Sequence, residues 1–267
     1  MATLTVAVVA PSSAEAVVGG TLSARAYSFM GSFQPSYPVP LRPDKHGCGV
    51  EVLAPQWVLT ASHCVGKNPT NAKSGVPRGW KVRAGSLDTS SGGEVAEVDH
   101  HYRLATRRDE GGFWGRDLAL MHLRTPIRAE PVPLASTTPS KKTPLRIMGW
   151  GVTCEDTGKS TCVPRRLREA DTVVQPNSAC PSAAPAGELC VGSRDGSVTA
   201  SNMVSGGPAL VREGGRWAVA GVVSGPDERG KTLYTDATRH ADWINGIIKA
   251  PTSPRTTRSR TWPTRWT

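Results

Sequence analysis

Short apolar or alternating runs, divided by turn-forming residues, constrain this chain more than any other feature. They cover 29–33, 49–53, 57–61, 80–83, 95–98, 118–123, 145–149, 167–174, 209–212, 217–223 and 232–235. Clusters of Gly, Pro, Asn, Asp or Ser separate many of them, and the 28 glycines and 22 prolines are spread along the chain. No run approaches the roughly 18 apolar residues that a membrane-spanning helix needs. One segment has a helical period. Over 238–248, Ala241, Ile244, Ile247 and Ile248 fall on one face, with Thr238 as N-cap and Pro251 beyond the end. Many strands and one terminal helix predict an all-β protein, either a sandwich or paired barrels. A chain of 267 residues is long enough for one large β domain or two small ones.

The six cysteines fall as neighbours in sequence: Cys48 and Cys64, Cys154 and Cys162, Cys180 and Cys190. Sequential pairing closes three short loops and points to an oxidising, extracytoplasmic destination. No C-x2-C or H-x3-H spacing occurs, so no metal site is expected. Residues 1–16 carry a short apolar run, Leu4 to Ala10, followed by Ala14-Glu15-Ala16, a small-x-small pattern. The segment reads as a signal or pro-segment with a clipped start, because the first basic residue is Arg25. Cleavage after Ala16 makes Val17 the mature N-terminus. Net charge is +10, yet Arg255, Arg258, Arg260 and Arg265 all lie in 250–267, where there is no acid. That stretch is rich in Pro, Thr, Ser and Arg and reads as a solvated basic tail. Neither a nucleic-acid nor a membrane partner is expected.

Three residues stand in contexts that suit nucleophilic catalysis. His63 ends the apolar run W-V-L-T-A-S-H-C at 57–64 and sits beside a cysteine whose bridge would clamp it. Asp117 heads the apolar run D-L-A-L-M, where a buried carboxylate can fix an imidazole's tautomer. Ser205 opens S-G-G-P, a tight turn whose backbone N–H groups can converge on an oxyanion. The order His63, Asp117, Ser205 is one of the known triad orders.

With these residues the chain resembles the chymotrypsin/trypsin-like serine proteases, of the secreted bacterial type. The resemblance runs from Val17 to about Lys249. It rests on V-V-G-G at 17–20, L-T-A-S-H-C at 59–64, R-D-L-A-L-M at 116–121, G-W-G at 149–151, S-G-G-P at 205–208 and Y-T-D-A-T-R-H-A-D-W-I at 234–244. It implies two six-stranded antiparallel β-barrels over 17–249 with the active site between them. It implies His63 as general base, Asp117 as orienting acid, Ser205 as nucleophile, and the N–H groups of Met203 and Ser205 as the oxyanion hole. Ser224 would support the aspartate, and Thr199 and Gly225 would line the specificity pocket. Cys48–Cys64 and Cys180–Cys190 match disulfides of the family, and Cys154–Cys162 looks like a local bridge of bacterial relatives. No cofactor is implied. Protein or peptide substrates and proteinaceous inhibitors are the implied partners.

The loop before the nucleophile departs from the family. Val204 replaces the aspartate that pairs with the freed α-amino group, and Met203 replaces a glycine. A Val17 ammonium entering that pocket would meet an apolar side chain. Thr199 stands where trypsins have an acid, so basic side chains find no counter-ion there. Two functions are therefore expected in contrast: a secreted serine endopeptidase, and a non-catalytic binding protein on the same fold.

Overall fold

A computed structural model describes residues 17–66, 72–106, 113–152, 162–183, 187–200, 204–227 and 229–250. The first strands in order are β1 (Val17–Val18), β2 (Thr21–Leu22), β3 (Met30–Gln34), β4 (Cys48–Ala54), β5 (Trp57–Thr60), β6 (Ser74–Gly75), β7 (Lys81–Ala84), β8 (Glu94–Arg103) and β9 (Ala119–Leu123). A one-turn helix, α1 (Ser62–Val65), follows β5. The second set is β10 (Pro144–Gly149), β11 (Arg168–Gln175), β12 (Glu188–Val191), β13 (Thr199–Ala200), β14 (Pro208–Glu213), β15 (Arg216–Pro226) and β16 (Thr232–Asp236), before helix α2 (Ala241–Lys249).

These strands close into two six-stranded antiparallel barrels. The first runs β8-β7-β3-β4-β5-β9 and closes through β8–β9, with β6 added to its edge. The second runs β10-β14-β15-β16-β12-β11 and closes through β10–β11, with β2 at its edge. Closure removes the unpaired edges that would otherwise template aggregation. Strand β1 belongs to neither barrel and pairs with β13.

Predicted and observed strands agree within a few residues, with instructive exceptions. Strand β8 is ten residues long, whereas the alternation reaches only from 95 to 98. A register shift between Val98 and His100 flips the side-chain phase, so the period-two signal dies where the strand continues. The two-residue strands and β12 have too little pattern to read. The terminal helix forms as expected, but Thr238 is not its N-cap. Asp236 Oδ1 accepts the Thr238 N–H at 3.0 Å and caps a short 3-10 turn, Ala237–His240, that leads into α2. Ile244 is fully buried, and α2 packs back onto the core of the first barrel.

One interior residue breaks the burial rule. Glu51 has no exposed surface, and neither carboxylate oxygen has a hydrogen-bond partner among the described residues. Gly49, two residues earlier on the same face of β4, abuts Gly207 of the second barrel, so Glu51 points toward the inter-barrel contact. Desolvation pushes its carboxyl well above the usual carboxylate range. Burial, and then the charge of Glu51, likewise raise the fully buried Tyr234 phenol. A carboxyl whose folded pKa is raised contributes stability below its unfolded pKa, and loses it as pH rises through the folded pKa. Every tenfold weakening of the acid on folding corresponds to about 1.4 kcal/mol of this stability. Glu51→Gln is therefore expected to raise Tm at pH 8 by roughly 3 °C or more. The gain should vanish near pH 4, and equal gains at both pH values in thermal melts would contradict a buried titrating carboxyl.

Candidate active site

His63 is fixed before any partner side chain reaches it. Strand β5 delivers it into α1, and the disulfide from Cys64 to Cys48 ties the helix to β4. Thr60 Oγ1 donates to Gly49 O at 2.8 Å. Buried Ser62 donates to Ala105 O and accepts from Arg103 Nε. The turn carrying the imidazole is thus cross-linked on both sides.

Asp117 closes the arrangement from the head of β9. Its Oδ2 lies 2.6 Å from His63 Nδ1, and its Oδ1 accepts the His63 backbone N–H at 2.8 Å. Ser224 Oγ donates to the same Oδ2 at 2.9 Å, and the Asp117 N–H donates to Thr235 Oγ1 at 3.2 Å. The Asp117 side chain is 2% exposed and that of His63 is 28% exposed. A carboxylate that only accepts assigns the proton to Nδ1 and leaves the Nε2 lone pair outside the pair. The sulfurs of Cys48 and Cys64 lie close to the imidazole, but they are joined to each other and offer no thiolate to a metal.

Ser205 sits in a turn clamped between the barrels. Gly206 takes φ +77°, and its N–H donates to Val223 O at 3.1 Å. Gly207 N donates to Val204 O, Val223 N to Gly207 O, and Gly49 N to Ser205 O at 2.8 Å. Gly49 follows Cys48 directly, so the disulfide that ties His63 also adjoins the strand gripping the serine turn. Among the described residues no hydrogen bond joins the Ser205 hydroxyl to His63, whose ring contacts are Asp117 and the Cys64 sulfur. The Ser205 N–H has no backbone acceptor among the described residues. Met203, the other expected oxyanion donor, lies outside the described residues.

A cleft of about 630 Å³ opens beside the imidazole, lined by His63, Asp117, Ser224, Gly225, Pro226 and Leu233 and flanked by Phe113, Trp114 and Glu188. A Cβ built on Gly225 would meet nothing within 4 Å, so this glycine leaves the cleft wide. Trp114 is 55% exposed at the rim. Its turn is held by the Gly115 N–H to Glu188 Oε1 at 3.3 Å and by His240 Nε2 to Gly115 O at 2.7 Å. Sequence reasoning missed Trp114 and Glu188. The available signal was a bulky F-W pair just before the G-R-D of the aspartate strand. Of the two expected pocket residues only Gly225 lines this cleft; Thr199 lies on β13, with its Oγ1 2.7 Å from Thr232 Oγ1, and is not among the lining residues.

Val17 and Val204 are both buried in one aliphatic cluster of the second barrel. Val17 is therefore seated inside the fold, and its side chain meets an apolar neighbourhood. Cys180 and Cys190 form the second expected disulfide. Cys162 is also disulfide-bonded, while its expected partner Cys154 lies outside the described residues. Segments 1–16 and 251–267 lie outside them too.

The double-barrel architecture already restricts the ancestry. Residues 17–244 match the family model described as Trypsin, and the chain belongs to the trypsin-like serine proteases.

Proposed function

We propose that the protein is a secreted endopeptidase that cleaves peptide bonds through an acyl-enzyme. The observation carrying this reading is the two-point attachment of His63 to Asp117, which holds the proton on Nδ1 and keeps Nε2 available as a base. In the proposed sequence His63 Nε2 takes the Ser205 hydroxyl proton as Oγ bonds to the substrate carbonyl carbon. The carbonyl electron pair moves to oxygen, and the N–H groups of Ser205 and Met203 donate to it. Asp117 stabilises the imidazolium, and Ser224 holds Asp117. The intermediate collapses as the C–N bond breaks and Nε2 returns the proton to the leaving amine. Water then repeats the cycle on the acyl-enzyme.

Thr199 supplies no charge to a basic side chain, so a preference for Lys or Arg is not expected. The two described disulfides suit an oxidising compartment, which supports secretion and a signal or pro-segment over 1–16. Proteinaceous inhibitors that mimic substrate would fit the same cleft. The rival reading, a non-catalytic binding protein, is favoured by the apolar Val204 in the place of an acid.

A fluorophosphonate probe separates the two. The folded protein is expected to take up one equivalent, mapped to Ser205 by peptide mass analysis, and Ser205→Ala to take up none. A correctly folded protein with no adduct at Ser205 is the result that makes it a binding protein.

A further inference from the structure

Val17 is 0% exposed and Val204 1% exposed, in a cluster with Leu145, Ile147, Ala170 and Val191. Val204 is also the base of the nucleophile turn. Its carbonyl accepts the Gly207 N–H at 2.9 Å, and its Cγ1 fills the space over Gly149, where any Cβ would lie 2.7 Å away. The 17–20 segment is held mainly through its backbone. Val17 and Val18 pair with Ala200 and Thr199, and Gly20 N donates to Val17 O at 2.7 Å. Gly19 turns at φ +71°, where a Cβ would collide with Ser197 O.

Strand β1 packs against β10, β11 and β13. Strand β13 carries no charged side chain. From β10 and β11 the charged groups are Arg146, Arg168, Glu169 and Asp171. Both acids are already engaged by Arg146, and Glu169 also accepts from Ser23 Oγ. Arg168 donates to Gly20 O. Among the described residues of these three strands no carboxylate is left over for an ammonium released at Val17, and a buried, unpaired charge is costly. A peptide N–H at the same position carries no such penalty.

We propose that Val17 and Val204 are a positioning pair whose shared aliphatic cluster seats the Ser205 turn, so that the site is in its working form whether or not the chain has been cut before Val17. The proposal rests on the serine-peptidase reading. Cleavage before Val17 would then mature the protein without switching it on.

The test uses the full chain with residues 12–16 replaced by the recognition site of a specific processing protease, folded first and cut afterwards. Fluorophosphonate labelling of Ser205 is timed on both forms from pH 7 to pH 10, across the titration of an α-amino group near pH 8. The two forms are expected to label within about twofold of each other, with parallel pH profiles. Val17→Ala should slow labelling in both forms about tenfold or more by loosening the turn, and Val17→Ile should restore it. The proposal is overturned if labelling appears only after the cut. It is also overturned if the cut form alone loses labelling at alkaline pH, or if Val17→Ala labels like the parent. No labelling in either form overturns the peptidase reading itself, which sets that failure apart from the others.

Discussion

Asp117→Asn is expected to lower kcat for casein hydrolysis by about ten-thousandfold, the size known for this arrangement in general. That is about 5.5 kcal/mol of barrier at 1.36 kcal/mol per tenfold. The carboxylate accepts on both oxygens: Oδ1 from the His63 backbone, Oδ2 from Nδ1 and from Ser224. An amide has one acceptor and one donor end. With its NH2 toward Nδ1 it donates to the ring, forces the ring proton onto Nε2, and removes the base. With its NH2 toward the His63 N–H, two donors face each other in a site where the side chain is 2% exposed. Neither orientation preserves both the position and the tautomer of the imidazole. Melting temperature, measured alongside, should fall far less than activity. A loss in kcat of under tenfold would show that Asp117 does not set the protonation of His63.

The fold and much of the candidate site can be read in the sequence because their signals are local. W-V-L-T-A-S-H-C places His63 at the end of a strand, and D-L-A-L-M places Asp117 at the start of one; the structure joins them at 2.6 Å. What could not be read depends on contacts between segments far apart in sequence. Glu51 lies between Val50 and Val52, an alternation that normally turns the acid to solvent, but the face shared with Gly49 is covered by the second barrel. Trp114 reads as an ordinary loop aromatic until Gly115 is anchored to Glu188 and His240. Val204 before the serine turn is visible in the chain. Its burial in one aliphatic cluster with Val17 requires the β1–β13 pairing, which a two-residue strand does not announce.

The Ser205 turn itself offers the second large effect. Gly206→Ala is expected to reduce fluorophosphonate labelling of Ser205 by about a hundredfold or more, the scale of a misplacement near 1 Å. At φ +77° an added Cβ is strained, at a cost of roughly 1–2 kcal/mol. It would also lie 2.4 Å from Thr60 Oγ1 and 2.5 Å from Gly49 O. Neither atom can yield cheaply, because Thr60 Oγ1 donates to Gly49 O and both residues belong to paired strands. Overpacking of this kind adds roughly 1–3 kcal/mol. Relief requires the turn to move away from β4, which stretches the 2.8 Å bond from Gly49 N to Ser205 O that sets the height of the serine. Gly215→Ala provides the comparison. Gly215 has a similar φ of +79°, but nothing lies within 4 Å of its Cβ, so it suffers the backbone strain alone. It should lower Tm modestly and label at the parent rate. If both variants lose similar stability and both label normally, the clamp between the barrels is not what positions Ser205.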